Sequence, residues 1–375
     1  MFTQKPAPVP PPSAETFENG ITHPELWLWD SWTAELGGTI HLYCLALSRT
    51  GHDGAPISPD HRNDYPFHIR HFISVDSGRS WKDEGVFAGP RDTGDGAFAR
   101  NVWSGGMLAR SAGDWVCGFT GIRSAAAGKP FLQTICLARS GSATSLHELP
   151  AAALSCPARD YDAIRAAGYY LPARETLGAH DGEEGGPILA WRDPFILDSG
   201  DGRLEVFWSA KIGPARPAVA HATVRQSGSA FRIETLHPPM TLPDDSAFTQ
   251  AEVPKVYADP ETGTWYMIIS ACDRLSETQP ADEVTKVLRL YTSKSLRGPW
   301  KPAFANQASL IPDTEHLFGA SIMQTDFRAG RLSLVAPYTE YAAVDRQLTF
   351  APVKTIRLPQ DTTELAASSP KRSGG

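Results

Sequence analysis

A chain of 375 residues is long enough to bury a large core, and 41% apolar with 10% aromatic residues is the composition of an ordinary globular protein. A net charge of −7, with no basic run beyond Lys371-Arg372, argues against nucleic acid or an anionic membrane surface as a partner. Cys44, Cys117, Cys136, Cys156 and Cys272 are odd in number, widely spaced and without a CxxC pair, so they read as free, mostly buried thiols rather than a disulfide framework or a zinc site.

Residues 1–21 carry Pro6, Pro8, Pro10, Pro11 and Pro12 and no apolar run. This predicts an extended, poorly packed arm, with neither a signal peptide nor a membrane-spanning helix. Cytoplasmic residence is the expectation on that ground, with export by another route left open. Next comes Trp27-Leu28-Trp29-Asp30-Ser31-Trp32, three indoles around one carboxylate. Indole walls partly desolvate a carboxylate and offer flat platforms to sugar rings, which suggests carbohydrate chemistry. The same residues equally suit a core strand with Asp30 in a turn.

Short apolar or alternating runs follow at 39–47, 68–75, 115–120, 132–137, 204–209, 265–270, 287–292 and 331–337, broken by Gly, Asp and Pro. Each is about one strand long, and turn signals such as Asp198-Ser199-Gly200-Asp201-Gly202 separate several of them. With 32 Gly, 31 Pro and few amphipathic helical patterns, this density predicts an all-β sandwich, barrel or propeller. Ser74-Val75-Asp76-Ser77-Gly78-Arg79-Ser80-Trp81 fits the S-x-D-x-G-x-x-W Asp-box of propeller glycosidase hairpins. There Asp76 bonds turn amides, Gly78 takes positive φ and Trp81 packs beneath the turn, which is a signal of architecture. Residues 140–190 read as an irregular excursion with a short helix within 151–167, either a rim of a pocket or a plain surface insertion. Residues 361–375 read as a flexible tail, leaving 22–360 as one folded domain.

Three further clusters set polar groups beside Trp or Pro: Val102-Trp103-Ser104-Gly105, Trp191-Arg192-Asp193-Pro194, and Gln250-Ala251-Glu252-Val253-Pro254-Lys255-Val256. With the opening stretch they offer three carboxylates, Asp30, Asp193 and Glu252. Taken alone, Asp193 also suits a turn stabilised by Arg192, and Glu252 a solvent-facing strand position. The eleven His residues show no HExxH or comparable metal-ligand spacing, and no G-x-S-x-G elbow, P-loop or dinucleotide fingerprint occurs.

In order, these clusters resemble the motifs of the levansucrase/inulosucrase family of bacterial fructosyltransferases. Trp-Leu-Trp-Asp-Ser-Trp resembles its nucleophile motif, Val-Trp-Ser-Gly its E-W-S-G segment, Arg192-Asp193-Pro194 its R-D-P motif, and Gln250-x-Glu252 with Pro254 and Val256 its E-x-E-R-P-x-V segment. His61-Arg62-Asn63-Asp64 resembles a family segment ahead of a blade strand. The ordered resemblance runs from about residue 27 to 303. It implies a five-bladed β-propeller and retaining β-fructosyl transfer from sucrose or a related β-fructoside to water or a sugar acceptor. Asp30 is then the nucleophile, Glu252 the general acid and base with its pKa raised by its neighbours, and Asp193 a transition-state stabiliser kept ionised by Arg192. Trp29, Trp103, Ser104, Arg192, Gln250 and Lys255 become substrate contacts. No cofactor or metal is implied, the partners are small sugars, and nothing in the chain speaks to oligomeric state. Val253 and Lys255 stand where the family has Arg and usually His, which implies a changed donor range. An inverting arabinan- or xylan-directed propeller glycosidase and a non-catalytic sugar-binding propeller are the alternatives.

Overall fold

The computed structural model describes residues 7–359 except 92–95, 124–130, 147–149, 151, 179–186, 277–278, 281–282 and 305–307. The tail expected at 361–375 lies outside the described residues. Each predicted run is a strand, and the described residues form five antiparallel sheets. Blade I contains β1 (Thr16–Glu18), β2 (Leu26–Leu36), β3 (Thr39–Ser48), β4 (His68–Ser74) and β5 (Ser80–Ala88), in the order β1-β5-β4-β3-β2. Blade II contains β6 (Asn101–Ser111), β7 (Asp114–Ile122) and β8 (Gln133–Ser140), with Ser155 bridging to Ile135 at its outer edge. Blade III contains β9 (Arg192–Gly200), β10 (Arg203–Gly213), β11 (Arg216–Ser227) and β12 (Ala230–Leu236). Blade IV contains β13 (Gln250–Ala258), β14 (Trp265–Cys272), β15 (Lys286–Ser293) and β16 (Lys301–Pro302). Blade V contains β17 (Ser321–Asp326), β18 (Arg331–Val335) and β19 (Lys354–Arg357). Arranged radially, they make a five-bladed β-propeller.

The inner strands of the five blades, β2, β6, β9, β13 and β17, surround the axis; in blades II to V this is the first strand, and in blade I it follows the outer strand β1. Apolar side chains fill the wedges between blades. Trp32, Tyr43, Trp115, Trp191 and Trp208 belong to one cluster shared by blades I to III, while Phe72 and Trp81 of blade I join Met323 and Val335 of blade V. Large aromatics suit these wedges, which widen outward and need volume rather than charge.

The Asp-box forms the β4–β5 hairpin. Asp76 Oδ1 accepts from Ser80 N–H at 2.9 Å, Gly78 has φ 80°, and Trp81 is buried beneath the turn. The excursion at 140–190 holds α1 (Tyr161–Ala166), and buried Leu146, Cys156, Ile164, Tyr169 and Leu171 pack it onto the core of blades I to III. It is a buttress of the outer wall; among its described residues Ile188 reaches the central cavity.

The ring is closed at its ends. Ile21 pairs with Phe350, Leu28 N–H donates to Leu348 O at 2.8 Å, and β1 adds to the outside of blade I. The arm expected to be poorly packed is extended, yet anchored from Pro10 onward. The buried Arg70 guanidinium donates to the Pro10 and Pro11 carbonyls at 2.8 and 2.7 Å, and to both oxygens of Asp83 at 2.8 and 2.5 Å. Ser13 N–H also donates to Asp83, at 2.7 Å. A run of prolines has no N–H groups with which to pair as a strand, so its carbonyls are available to Arg70.

Both side chains of the Arg70–Asp83 pair are fully buried. Asp83→Asn therefore strands a cation, and a loss of about 3–5 kcal/mol in urea denaturation is expected. An unchanged midpoint would mean that β1 pairing alone holds the arm.

Candidate active site

Each inner strand that feeds the cavity is interrupted where it does so. The β2–β3 register shifts between Trp29 and Trp32, with Asp30 at φ 49°. On β13 the shift falls between Glu252 and Lys255, with Val253 at φ 48°, and Asp193 near the start of β9 has φ 63°. The β6–β7 register shifts between Trp103 and Gly105. A bulge opposes two residues to one and re-aims a side chain that regular alternation would send elsewhere. Left-handed φ at non-glycine residues, and above all at β-branched Val253, is strained backbone that the surrounding fold must hold.

Glycines make the close approaches around these bulges. A Cβ on Gly319 would lie 2.4 Å from Asp30 Oδ1, and one on Gly105 would lie 1.9 Å from Gly118 O. Blade V can therefore touch Asp30 only with a bare backbone at 319.

The cavity on the axis has a free volume of about 840 Å³ including its mouth, and Trp29, Asp30, Trp103, Ser104, Arg192, Asp193 and Glu252 all line it. Ser104 Oγ donates a hydrogen bond to Asp30 Oδ2. Asp193 Oδ2 accepts from Val253 N–H at 3.1 Å and lies 3.0 Å from the Ser209 hydroxyl, while Asp193 N–H donates to Thr120 Oγ1 at 2.7 Å. Arg192 bridges the other two acids, its Nε 3.5 Å from Asp193 and a terminal nitrogen 3.5 Å from Glu252. Its fork is anchored by the Leu189 carbonyl at 2.7 Å and by Gln250 Oε1 at 3.1 Å.

Burial raises Asp30 above the usual aspartate range, against the Ser104 hydrogen bond. Burial likewise pushes Asp193 up to about 7, against the pull of Arg192 and with the help of the neighbouring acids. Arg192, expected to keep Asp193 ionised, opposes this shift from 3.5 Å against the desolvation of a side chain only 4% exposed. Glu252, expected among apolar neighbours, is 22% exposed and faces Arg192.

Two predicted substrate contacts are elsewhere. Gln250 is buried behind Arg192, donating its amide to Arg274 O at 3.2 Å. Lys255 is 1% exposed and donates to Val253 O at 3.2 Å; neither side chain lines the cavity. Lys255 follows the bulge at 253, which shifts the ladder beyond Glu252, whereas Gln250 precedes it in the regular part of the ladder. Val253 is also buried and off the cavity wall, so the guanidinium missing there is not missing from the cavity, which Arg62, Arg192 and Arg274 line.

Blades IV and V add a group that sequence reasoning did not single out. Glu340 accepts from Lys286 Nζ at 2.8 and 2.9 Å and from Arg62 at 3.0 Å. Burial alone would raise Glu340, but the two cations hold it well below the usual range; burial alone would lower Lys286, but Glu340 outweighs it. Arg62 comes from the His61-Arg62-Asn63-Asp64 segment, the one sequence signal among these residues.

Among the described residues, Glu205, His221 and His237 on blade III are the trio with metal-ligand chemistry. They form a hydrogen-bonded chain: His221 Nε2 lies 2.6 Å from Glu205, Thr223 Oγ1 lies 3.0 Å from Glu205 and 2.9 Å from His237 Nε2, and Arg297 sits on His237 Nδ1 at 2.9 Å. A cation facing that nitrogen favours the tautomer with its proton on Nε2, which leaves no lone pair there for a metal.

No family model matches this sequence, and no curated protein shows a significant match. Solved structures do match. Inulosucrase from Halalkalicoccus jeotgali bound to kestose superposes with a TM-score of 0.62 at 19% identity, covering 96% of this chain and 90% of that one. The fold is that of the levansucrase and inulosucrase propellers. Bacillus subtilis levansucrase gives a TM-score of 0.62 at 17% identity over 91% of this chain and 88% of its own. A levansucrase variant complexed with sucrose gives 0.59 at 17% identity, with coverages of 90% and 87%.

The direction of the Asp193 shift has a consequence for stability. The folded protein binds a proton that the unfolded chain has released, so stability falls as pH rises from the ordinary aspartate value of 3.8 through about 7. Asp193→Asn should remove this penalty. Its stability relative to the unsubstituted protein should climb by about 1 kcal/mol per pH unit over that window and level off above it. Urea midpoints at pH 5 and pH 8 measure it; a constant difference would show Asp193 ionised throughout.

Proposed function

We propose that this protein transfers β-fructosyl units, with retention, from sucrose or a related β-fructoside to water or a sugar acceptor. The observation that carries the reading is the convergence of Asp30, Asp193 and Glu252, from three blades, in one cavity walled by Trp29 and Trp103. Ordered motif resemblance and the shared levansucrase and inulosucrase fold support it.

The chemistry is that of a retaining pair of carboxyl groups. Asp30 attacks the anomeric carbon of the fructosyl unit as the bond to the leaving glycosyl oxygen breaks, and Glu252 protonates that oxygen. Water or an acceptor hydroxyl then gives its proton to Glu252 and displaces Asp30 from the same carbon. The Ser104 hydrogen bond aims the attacking carboxylate. Asp193, held by Val253 N–H and Ser209, meets fructosyl hydroxyls as positive charge develops on the ring. Glu252 is more exposed than Asp193, which supports giving it the acid and base role. Arg62, Arg274, Lys286 and Glu340 supply further donors and acceptors for the leaving glycosyl group.

Incubation with sucrose, levan and inulin, followed by chromatography of fructose, glucose and oligomers, tests this. Glucose in excess of fructose with oligomers present indicates transfer, and equal amounts indicate hydrolysis. Silence on every β-fructoside overturns the proposal and returns weight to an arabinoside-cleaving or binding-only propeller. Asp30→Asn should abolish turnover with the fold retained by circular dichroism, and Glu252→Gln should lower kcat by about 10²–10⁴-fold. An active Asp30→Asn protein would remove Asp30 from the nucleophile role.

A further inference from the structure

Two of the bulges at the cavity break the pairing in neighbouring blades. In blade II, Trp103 pairs with Thr120 and Gly105 with Phe119, so Ser104 is the extra residue. In blade III, Phe195 pairs with Phe207 and Arg192 with Ser209, so Asp193 and Pro194 together oppose Trp208. A bulge disrupts its ladder, and the buried backbone groups beside it need partners from elsewhere.

One side chain serves both. Thr120, on the middle strand β7 of blade II, is fully buried, and its Oγ1 donates to Ser104 O at 3.1 Å and accepts from Asp193 N–H at 2.7 Å. A hydroxyl has one proton to give; here it goes to the Ser104 carbonyl while a lone pair takes the Asp193 amide. Branching at Cβ restricts χ1, so the direction of this hydroxyl follows from the backbone of β7. The two backbones it joins both carry groups of the site. Ser104 Oγ donates to Asp30 Oδ2, and Asp193, at φ 63°, presents Oδ2 to Val253 N–H at 3.1 Å. Close packing supports the same junction, since a Cβ on Gly106 would lie 2.8 Å from Pro194 O.

We propose that Thr120 is a positioning residue for the reaction: its hydroxyl ties the Ser104 carbonyl to the Asp193 amide and so fixes the serine that aims Asp30 relative to the carboxyl group of Asp193. Thr120 does not line the cavity and never touches the sugar. The inference rests on the roles given to Asp30 and Asp193 above. It also explains how strained backbone at Asp193 is held, because the amide that the bulge turns out of blade III is caught by blade II.

The test compares Thr120→Val, which keeps the branched shape and removes the hydroxyl, with Thr120→Ser, which keeps the hydroxyl. On a β-fructoside, kcat should fall about 10²-fold in the Val variant with KM changed little, the loss that a misplacement of about 1 Å produces. The Ser variant should recover most of that loss. A second readout needs no turnover: ¹³C NMR titration of aspartate carboxyl carbons, with the Asp193 signal assigned through Asp193→Asn. Asp193 should titrate at higher pH in the Val variant, because a carboxylate released from the Val253 amide loses a hydrogen bond that favours its ionised form, and the Ser variant should match the unsubstituted protein. The charged groups acting on Asp193, namely Arg192, Asp30, Glu252 and Lys255, are the same in every variant. If Thr120→Val does not fold, Thr120→Cys, with a weakly bonding thiol in place of the hydroxyl, takes its place with the same expectation. If no β-fructoside is turned over, the fructosyl reading fails, and the carboxyl titration alone decides whether Thr120 sets Asp193. An unmoved Asp193 titration, or equal losses of kcat in the Val and Ser variants, would assign Thr120 to packing and overturn the proposal.

Discussion

Three carboxyl groups brought into one partly dehydrated cavity repel one another, and much of the central architecture answers that constraint. Arg192 spans two of the acids, Ser104 donates to the third, and the Val253 amide is turned inward to reach Asp193. Burial still wins at Asp193, which rises to about 7. Desolvation and like charges act in the same direction there, and one guanidinium opposes them. A site so arranged is destabilising, and the closed ring around it supplies the rigidity that holds it.

That ring depends on contacts between distant parts of the chain. Ser31 and Ser321 exchange hydrogen bonds with blade backbones across the I–V boundary, with Ser31 Oγ 2.7 Å from Gly319 O and Ser321 Oγ 2.7 Å from Ser31 O. Ile21 and Phe350 pair where the ends of the chain meet. The proline arm then clamps the outside of blade I through Arg70. Because Asp30 lies on the inner strand of the same blade, the closure and the cavity share one sheet. The arm is thus part of the scaffold and not an appendage to it.

The propeller explains how acids separated by up to 222 positions along the chain, Asp30 to Glu252, meet at one point. Each blade contributes one inner strand, so the axis samples the sequence once per blade. Chemistry on this fold is set by what the bulges present to the axis. Identities of 17–19% to the solved inulosucrase and levansucrase structures go with 90% or more of this chain superposed, which shows how little sequence the scaffold needs.

What the sequence alone made legible follows from burial. The eight apolar runs are second and third strands of blades, such as β3, β7 and β10, packed on both faces and therefore continuously hydrophobic. The inner strands β2, β6, β9 and β13 mix aromatic, charged and small residues because one side feeds the cavity, so motif resemblance rather than periodicity found them. Asp30, Asp193, Glu252, Trp29, Trp103, Ser104 and Arg192 were all named from those motifs and share one cavity. Tertiary structure decided the rest. The directions of Val253 and Lys255 turn on a one-position bulge, which local sequence does not encode because the opposing strand defines it. Glu340, Lys286 and Arg62 come from three separate blades or loops and acquire their role only when the ring closes and removes them together from water.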